Sequence, residues 1–276
     1  MKNLDSKFVD VGGMRTHFFE GGRGATVVLL HSGEFGGCAE LSWEFTAPAL
    51  AEHFHVIAPD WLGFGESAKI FSFDDMRGLR VKHIAEFLKL LRIERAHFIG
   101  NSMGGGMLAG VAAMDAPVWP IDRMILASAG GFAPVNETRQ LLTSYDGSRE
   151  HMRRVLEATL KVSPLARDEA YLERRHRLSL VPGSWECTAA ARFRRPGVKG
   201  GEKEQIEYRN IKRPTLIVAG GKDPLREPGY AQLLQAEIAG SELVVFEEAA
   251  HFPHIDLPER FNALTIEFLS RFGSCT

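Results

Sequence analysis

The run Gly100-Asn101-Ser102-Met103-Gly104 constrains this chain more than any other segment. An apolar stretch, Ala96 to Gly100, leads into it, and a small-residue stretch, Gly104 to Met114, leads out. That order predicts a strand, a sharp turn and a helix, with the serine held at the turn and its oxygen exposed. Strand and helix can approach closely enough for this only if the flanking positions are small, and Gly100 and Gly104 meet that demand. Met103 then opens the helix, where its backbone N–H faces the negative charge that would form beside Ser102. The bland alternative is a glycine-rich turn in which Ser102 merely caps the helix.

Away from this turn, apolar runs bounded by Gly or Pro alternate with amphipathic stretches, which predicts an α/β fold around a mostly parallel central sheet flanked by helices. Strands are expected in Phe8 to Phe19, as a pair joined near Gly12-Gly13, and in Ala25 to Leu30, His55 to Pro59, Ala96 to Gly100, Met124 to Ala127, Thr215 to Ala219 and Glu242 to Phe246. A helix is expected within Glu40 to Glu52. Another spans Phe73 to Leu91, with Ile84, Phe87, Leu88 and Leu91 on one face. The last helix carries Pro258 in its first turn and Phe261, Leu264, Phe268 and Phe272 at helical spacing. Between Ala133 and Lys212 the buried strand runs stop; helix-like charged stretches such as Arg167 to Leu178 replace them, with a Gly/Pro/Lys-rich loop at Arg195 to Gly201. A core of 1–132 and 213–276 with a mainly helical insertion at 133–212 suits a chain of 276 residues. Phe45, Phe54, Met107, Met114 and Cys38 are expected to pack inside.

The net charge of −2 lacks the basic surplus that nucleic-acid binding needs. It is a sum of opposed parts: the insertion has 16 Lys plus Arg against 11 Asp plus Glu, and the remainder 17 against 24. A basic lid over an acidic base favours a carboxylate-bearing small molecule. Three cysteines, Cys38, Cys187 and Cys275, with no CxxC spacing exclude a disulfide framework and a cysteine-rich zinc site, and suit the reducing cytoplasm. No apolar run approaches the roughly 18 residues that span a bilayer, and the first residues lack a signal-peptide pattern. No metal cluster, phosphate loop or dinucleotide fingerprint occurs, so neither metal nor cofactor is expected.

A serine hydroxyl needs a base to become a nucleophile. His251 follows the strand at Glu242 to Phe246, and Asp223 follows the strand at Thr215 to Ala219, so both are expected at the carboxyl edge of the sheet with Ser102. Asp223 would fix the imidazole's tautomer; Asp256 is the rival acid.

These residues, together with the first hairpin, His31-Ser32-Gly33, Asp60-Trp61-Leu62-Gly63-Phe64-Gly65-Glu66-Ser67 and the final helix, resemble the α/β-hydrolase family over nearly the whole chain. The resemblance implies an α/β-hydrolase fold whose segment 133–212 is a cap, a catalytic set of Ser102, Asp223 and His251, and an oxyanion hole from the backbone N–H groups of Gly33 and Met103. His31 is then structural. Within the family the chain looks most like the meta-cleavage product hydrolases, which cut a C–C bond in vinylogous diketone acids. Three matches carry this: Asn101 before the serine, Arg175 in Leu172-Glu173-Arg174-Arg175-His176, and the segment from His251 through Phe261 to Phe268. Arg175 would meet the substrate's dienol carboxylate end, and Asn101, Ser32, Phe252 and Trp185 are further expected substrate contacts. The chain departs from the subgroup at His31-Ser32-Gly33-Glu34-Phe35-Gly36-Gly37 and at Phe252, where a tryptophan is usual. Glu34 suits an anionic substrate only if it pairs or points away. A carboxylesterase or lactonase on the same three residues is the alternative, and a non-catalytic ligand receptor a third reading. A homodimer is implied by the resemblance alone.

Overall fold

The computed structural model describes residues 1–131, 134–190 and 206–271, in which eight strands form one sheet in the order β1-β2-β4-β3-β5-β6-β7-β8. They are β1 (Asp5–Val11), β2 (Met14–Gly21), β3 (Thr26–Leu30), β4 (His55–Pro59), β5 (Ala96–Asn101), β6 (Ile121–Ala127), β7 (Thr215–Gly220) and β8 (Glu242–Phe246). β1 and β2 form an antiparallel hairpin, β2 meets β4 antiparallel, and every other pairing is parallel.

The central strands show why their sequences are apolar throughout. Successive side chains point to opposite faces, and both faces are covered. Val28 and Leu30 of β3, Phe98 of β5, Met124 and Leu126 of β6 and Ile217 of β7 enter one buried cluster. Their alternating neighbours Val27, Leu29, Ile99, Ile125, Leu216 and Val218 enter the other.

The helices of the described residues are α1 (Ala39–Trp43), α2 (Ala47–Ala51), α3 (Met76–Leu90), α4 (Met103–Ala112), α5 (Glu137–Thr143), α6 (Arg149–Thr159), α7 (Glu169–Ser179), α8 (Ser184–Ala190), α9 (Tyr230–Glu237), α10 (Pro253–Asp256) and α11 (Pro258–Ser270). α3 starts later than its apolar spacing suggests because Asp75 caps it, accepting a hydrogen bond from Gly78 N at 2.7 Å. The helix expected within Glu40 to Glu52 is two short ones, the second restarting with Pro48 in its first turn. Phe45 falls in the break between them and is exposed, and Met114 lies just beyond α4 and is exposed too, so neither joins the core as expected. Phe54, Met107 and Cys38 are buried.

Between β6 and β7 the described residues form α5 to α8 and single 3-10 turns, without a strand. This helical layer shares a buried cluster with the core: Tyr145, Met152, Leu156 and Leu172 pack with Phe35, Leu41, Phe252 and Ile255. The expected starting residue Ala133, the loop at Arg195 to Gly201, Phe272 and Cys275 lie outside the described residues. Among the described residues no helix is long and apolar enough to cross a membrane.

Two buried histidines tie stability to pH. His83 sits under Thr16, 2.8 Å from its Oγ1, and burial pushes its pKa down to about 4. His254 lies between the rings of Trp43 and Phe261, and burial pushes it down to about 3. Both are neutral when folded at pH 5, whereas in the unfolded chain they take a proton near the ordinary 6.5. Stability is therefore full above that value and falls as the pH drops below it, by up to about 1.4 kcal/mol per pH unit for each histidine. Urea midpoints are expected to fall between pH 7 and pH 5, less steeply in His254→Phe. A flat profile in the parent protein would contradict this.

Candidate active site

Ser102 stands between the end of β5 and the start of α4 with φ +51° and ψ −110°, outside the regions a serine ordinarily adopts. Such a conformation costs on the order of 1–3 kcal/mol and persists only where the surroundings enforce it. Here they do: Ser102 N donates to Ala127 O at 3.0 Å, and its carbonyl accepts from Gly106 N at 2.9 Å. The flanking glycines are obligatory, since a methyl on Gly104 would come within 2.2 Å of Leu30 O, and one on Gly100 within 2.6 Å of Gly105 Cα. The Ser102 side chain makes no capping bond to α4, so the helix-cap alternative does not describe it.

The hydroxyl turns instead to His251, with Oγ 2.8 Å from Nε2, and His251 Nδ1 lies 2.8 Å from Asp223 Oδ2. These residues follow the carboxyl ends of β5, β8 and β7, which are brought together by parallel pairing through β6. Burial alone would raise the Asp223 pKa, but the charge and hydrogen bond of His251, with the Leu225 N–H at 2.8 Å from Oδ1, hold it below the usual carboxylate value. Asp256, the rival acid, has another task. Its Oδ1 accepts from the backbone N–H groups of Lys161, Val162 and Ser163 at 2.9–3.0 Å, and its Oδ2 accepts from Ala250 N at 2.8 Å. It thus pins the histidine's loop to the helical layer, an attachment that His251 N reinforces by donating to Thr159 O at 3.2 Å.

Distances alone do not make a reactive serine. A second chain of the same residue types exists: Ser6 Oγ lies 2.9 Å from His17 Nε2, and His17 Nδ1 lies 2.7 Å from Asp60 Oδ2. Ser6, however, sits within regular strand β1 and lines no described cavity, and Asp60 also binds the backbone N–H groups of Ala39 and Glu66. That network is structural. His31 belongs beside it: fully buried, it bonds Ser32 O through Nδ1 and accepts from Trp61 N at 3.1 Å, and burial holds its pKa down.

What distinguishes Ser102 is a cavity of about 490 Å³ between sheet and helical layer. Gly33, Ser102, Met103, His251 and Phe252 line its core side, and Arg139, Leu142, Tyr145 and Met152 its helical side. Gly33 and Met103 are close neighbours: a methyl on Gly33 would meet Met103 Sδ at 2.5 Å.

Of the expected substrate contacts, only Phe252 lines this cavity. Arg175 does not, because its Nη2 is 2.6 Å from Glu34 Oε1, with both side chains almost wholly buried. Burial opposes both charges, yet each holds the other ionised: Glu34 stays below and Arg175 above its ordinary pKa. Glu34 therefore pairs, as an anionic substrate would require, but it does so with the arginine expected to serve that substrate. Asn101 is wholly buried, and its amide N–H groups go to Ala127 O and His251 O. Ser32 is buried beside Glu34, and Trp185 donates to Tyr145 O at 3.3 Å behind the wall. Arg139 and Arg226 were not expected to line the cavity, although Arg226 stands in the same loop as Asp223. Among the described residues no group of His, Cys, Asp or Glu is arranged to hold a metal ion.

The chain is similar to several known proteins over nearly its whole length. The chain is 30% identical over 274 residues to 2-hydroxy-6-oxo-6-(2'-aminophenyl)hexa-2,4-dienoic acid hydrolase of Metapseudomonas resinovorans, covering 98% of this chain and 92% of that one. It is 32% identical over 260 residues to 2-hydroxymuconate semialdehyde hydrolase of Pseudomonas sp. (strain CF600), covering 94% and 91%. A solved serine hydrolase involved in carbazole degradation superposes with a TM-score of 0.84 at 28% identity, covering 98% of this chain and all of that one. The profile of the alpha/beta hydrolase family matches residues 27–264, and the chain belongs to that family.

Proposed function

We propose that this hydrolase cleaves a C–C bond in a vinylogous diketone acid of the 2-hydroxy-6-oxo-dienoate type, with Ser102 as nucleophile, His251 as proton carrier and Asp223 as the group that orients it. The observation that carries the reading is the strained Ser102 turn opening, with His251 at 2.8 Å, into the cavity beneath the helical layer. The names of the two hydrolases described above support the bond class. In this mechanism the dienol substrate first becomes its keto form. His251 Nε2 then takes the proton from Ser102 Oγ as the oxygen attacks the distal ketone. The resulting oxyanion is received by the backbone N–H groups of Met103 and Gly33. Collapse breaks the C–C bond; the carbon leaving group takes the proton held by His251, and an acyl group stays on Ser102. Water, deprotonated by His251, releases the second acid and restores the serine.

One observation favours a second reading, a carboxylesterase or lactonase on the same residues: Arg175 is spent on Glu34 and offers no charge to the cavity. Loss of the visible absorbance of a 2-hydroxy-6-oxo-dienoate, with kcat/KM well above that for p-nitrophenyl esters, is expected. Ester turnover without dienoate turnover would exclude C–C cleavage. The free, buried Cys38 and Cys187 support the reducing cytoplasm as the site of action.

A further inference from the structure

The cavity carries positive charge at a place where no substrate contact was expected. Arg226 follows Asp223 in the loop after β7, and its Nε and Nη2 both donate to Ser128 O, at 3.0 and 2.7 Å. Arg139 comes from α5 on the opposite, helical side, and its Nη2 donates to Leu225 O at 3.3 Å. Both side chains line the cavity that holds Ser102 and His251. Among the described residues, their hydrogen-bond partners are backbone carbonyl oxygens, Arg226 lies in addition 5.8 Å from the centroid of the Tyr230 ring, and neither guanidinium is ion-paired to a carboxylate. Arg139 Nε is shielded from solvent and has no hydrogen-bond partner. The charge of Asp223 reaches both arginines, but its carboxylate is already bonded to His251 and to Leu225 N.

The two guanidinium groups also repel each other. Burial and then the neighbouring Arg226 charge push the Arg139 pKa down. A bridging anion would relieve the repulsion and supply acceptors in the planar geometry that arginine matches best. Arg175 is the opposite case, a buried guanidinium already neutralised by Glu34.

We propose that the Arg139–Arg226 pair, and not Arg175, receives the carboxylate of the substrate, so that the acid end lies along the α5 side of the cavity while the scissile carbonyl sits at Ser102. This deepens the reading of the site given above and rests on Ser102 being its nucleophile. The preferred substrates are those with a carboxylate remote from the reacting carbonyl; neutral analogues of the same length bind less well.

The test uses the full-length protein and two matched esters, mono-p-nitrophenyl glutarate and p-nitrophenyl valerate, alongside a 2-hydroxy-6-oxo-dienoate. Arg139→Gln is expected to lower the glutarate-to-valerate ratio of kcat/KM by about tenfold or more, mainly through KM, with part of the ratio kept in Arg139→Lys. Arg226→Gln is expected to do the same, and should it fail to fold, the Arg139 variants decide. The double variant Glu34→Gln/Arg175→Gln is expected to keep the ratio. An unchanged ratio in Arg139→Gln, or a selective fall in the double variant alone, overturns the proposal. Because both esters report on Ser102 whatever bond the natural substrate offers, a wild-type protein inactive on the dienoate refutes C–C cleavage without touching this result.

Discussion

Ser102→Ala is expected to abolish turnover, lowering kcat by about 10⁵- to 10⁶-fold, while leaving the thermal unfolding midpoint unchanged. The separation follows from geometry. The hydroxyl makes no bond to α4, so its removal costs the helix nothing, and alanine tolerates φ +51° no worse than serine does. What disappears is the hydroxyl that lies 2.8 Å from His251 Nε2. Asp223→Asn should fall short of this, by about 10⁴-fold, because the imidazole remains but loses the partner that sets its tautomer. A fluorophosphonate that labels the parent protein should leave Ser102→Ala unlabelled, and labelling at Ser6 in its place would contradict the assignment of the Ser6–His17–Asp60 network as structural. Retained hydrolysis in Ser102→Ala would remove the nucleophile from the reading altogether.

The second large effect concerns stability. Glu34→Ala is expected to cost about 3–5 kcal/mol, since it strands the Arg175 charge where water cannot reach it. In a chain of this size that corresponds to a fall in Tm of roughly 10 °C. The loop leaves little room to relax: Gly36, with φ +69°, packs so tightly on α7 that a methyl there would lie 2.2 Å from Arg175 O. Removing both charges, in Glu34→Leu/Arg175→Met, should recover most of the loss, because the desolvation cost disappears with the pair. Circular dichroism melts of the single and double variants give the comparison; a single variant as stable as the parent would show that Arg175 finds another partner or reaches solvent.

The features that were legible in the sequence are those decided locally. The Ser102 turn is announced by glycines whose necessity is a contact with the adjacent strand, and β4 and β8 are bounded as their apolar runs suggest. His251 and Asp223 stand after strands, and parallel pairing brings those strand ends together. Of the expected substrate contacts, those other than Phe252 lie away from the cavity for a different reason. Whether Arg175 faces a ligand depends on Glu34, a residue distant in sequence whose loop folds back beneath α7. Asn101 looked like a donor to substrate, yet as the last residue of β5 it is enclosed by β6 and the histidine's loop, and it ties down His251 by its carbonyl. Arg226 had a usable signal, its place in the loop of Asp223. Arg139 had none, because one turn of a short polar helix gives no indication of which side chain the tertiary packing turns inward.

The carboxylate of Asp256 has a mechanical consequence. Four backbone donors converge on it, three from 161–163 and one from Ala250, the residue before His251. The loop after β8 that carries His251 and the segment that follows α6 are therefore tied into one piece. Widening the cavity at that margin would either strip a buried anion of its donors or drag the imidazole off Ser102. At the α6 side the helical layer is thus held to the core by a buried carboxylate, whereas at the α5 side the described side-chain hydrogen bonds to the Asp223 loop are those of Asn136 to Pro224 O and Arg139 to Leu225 O.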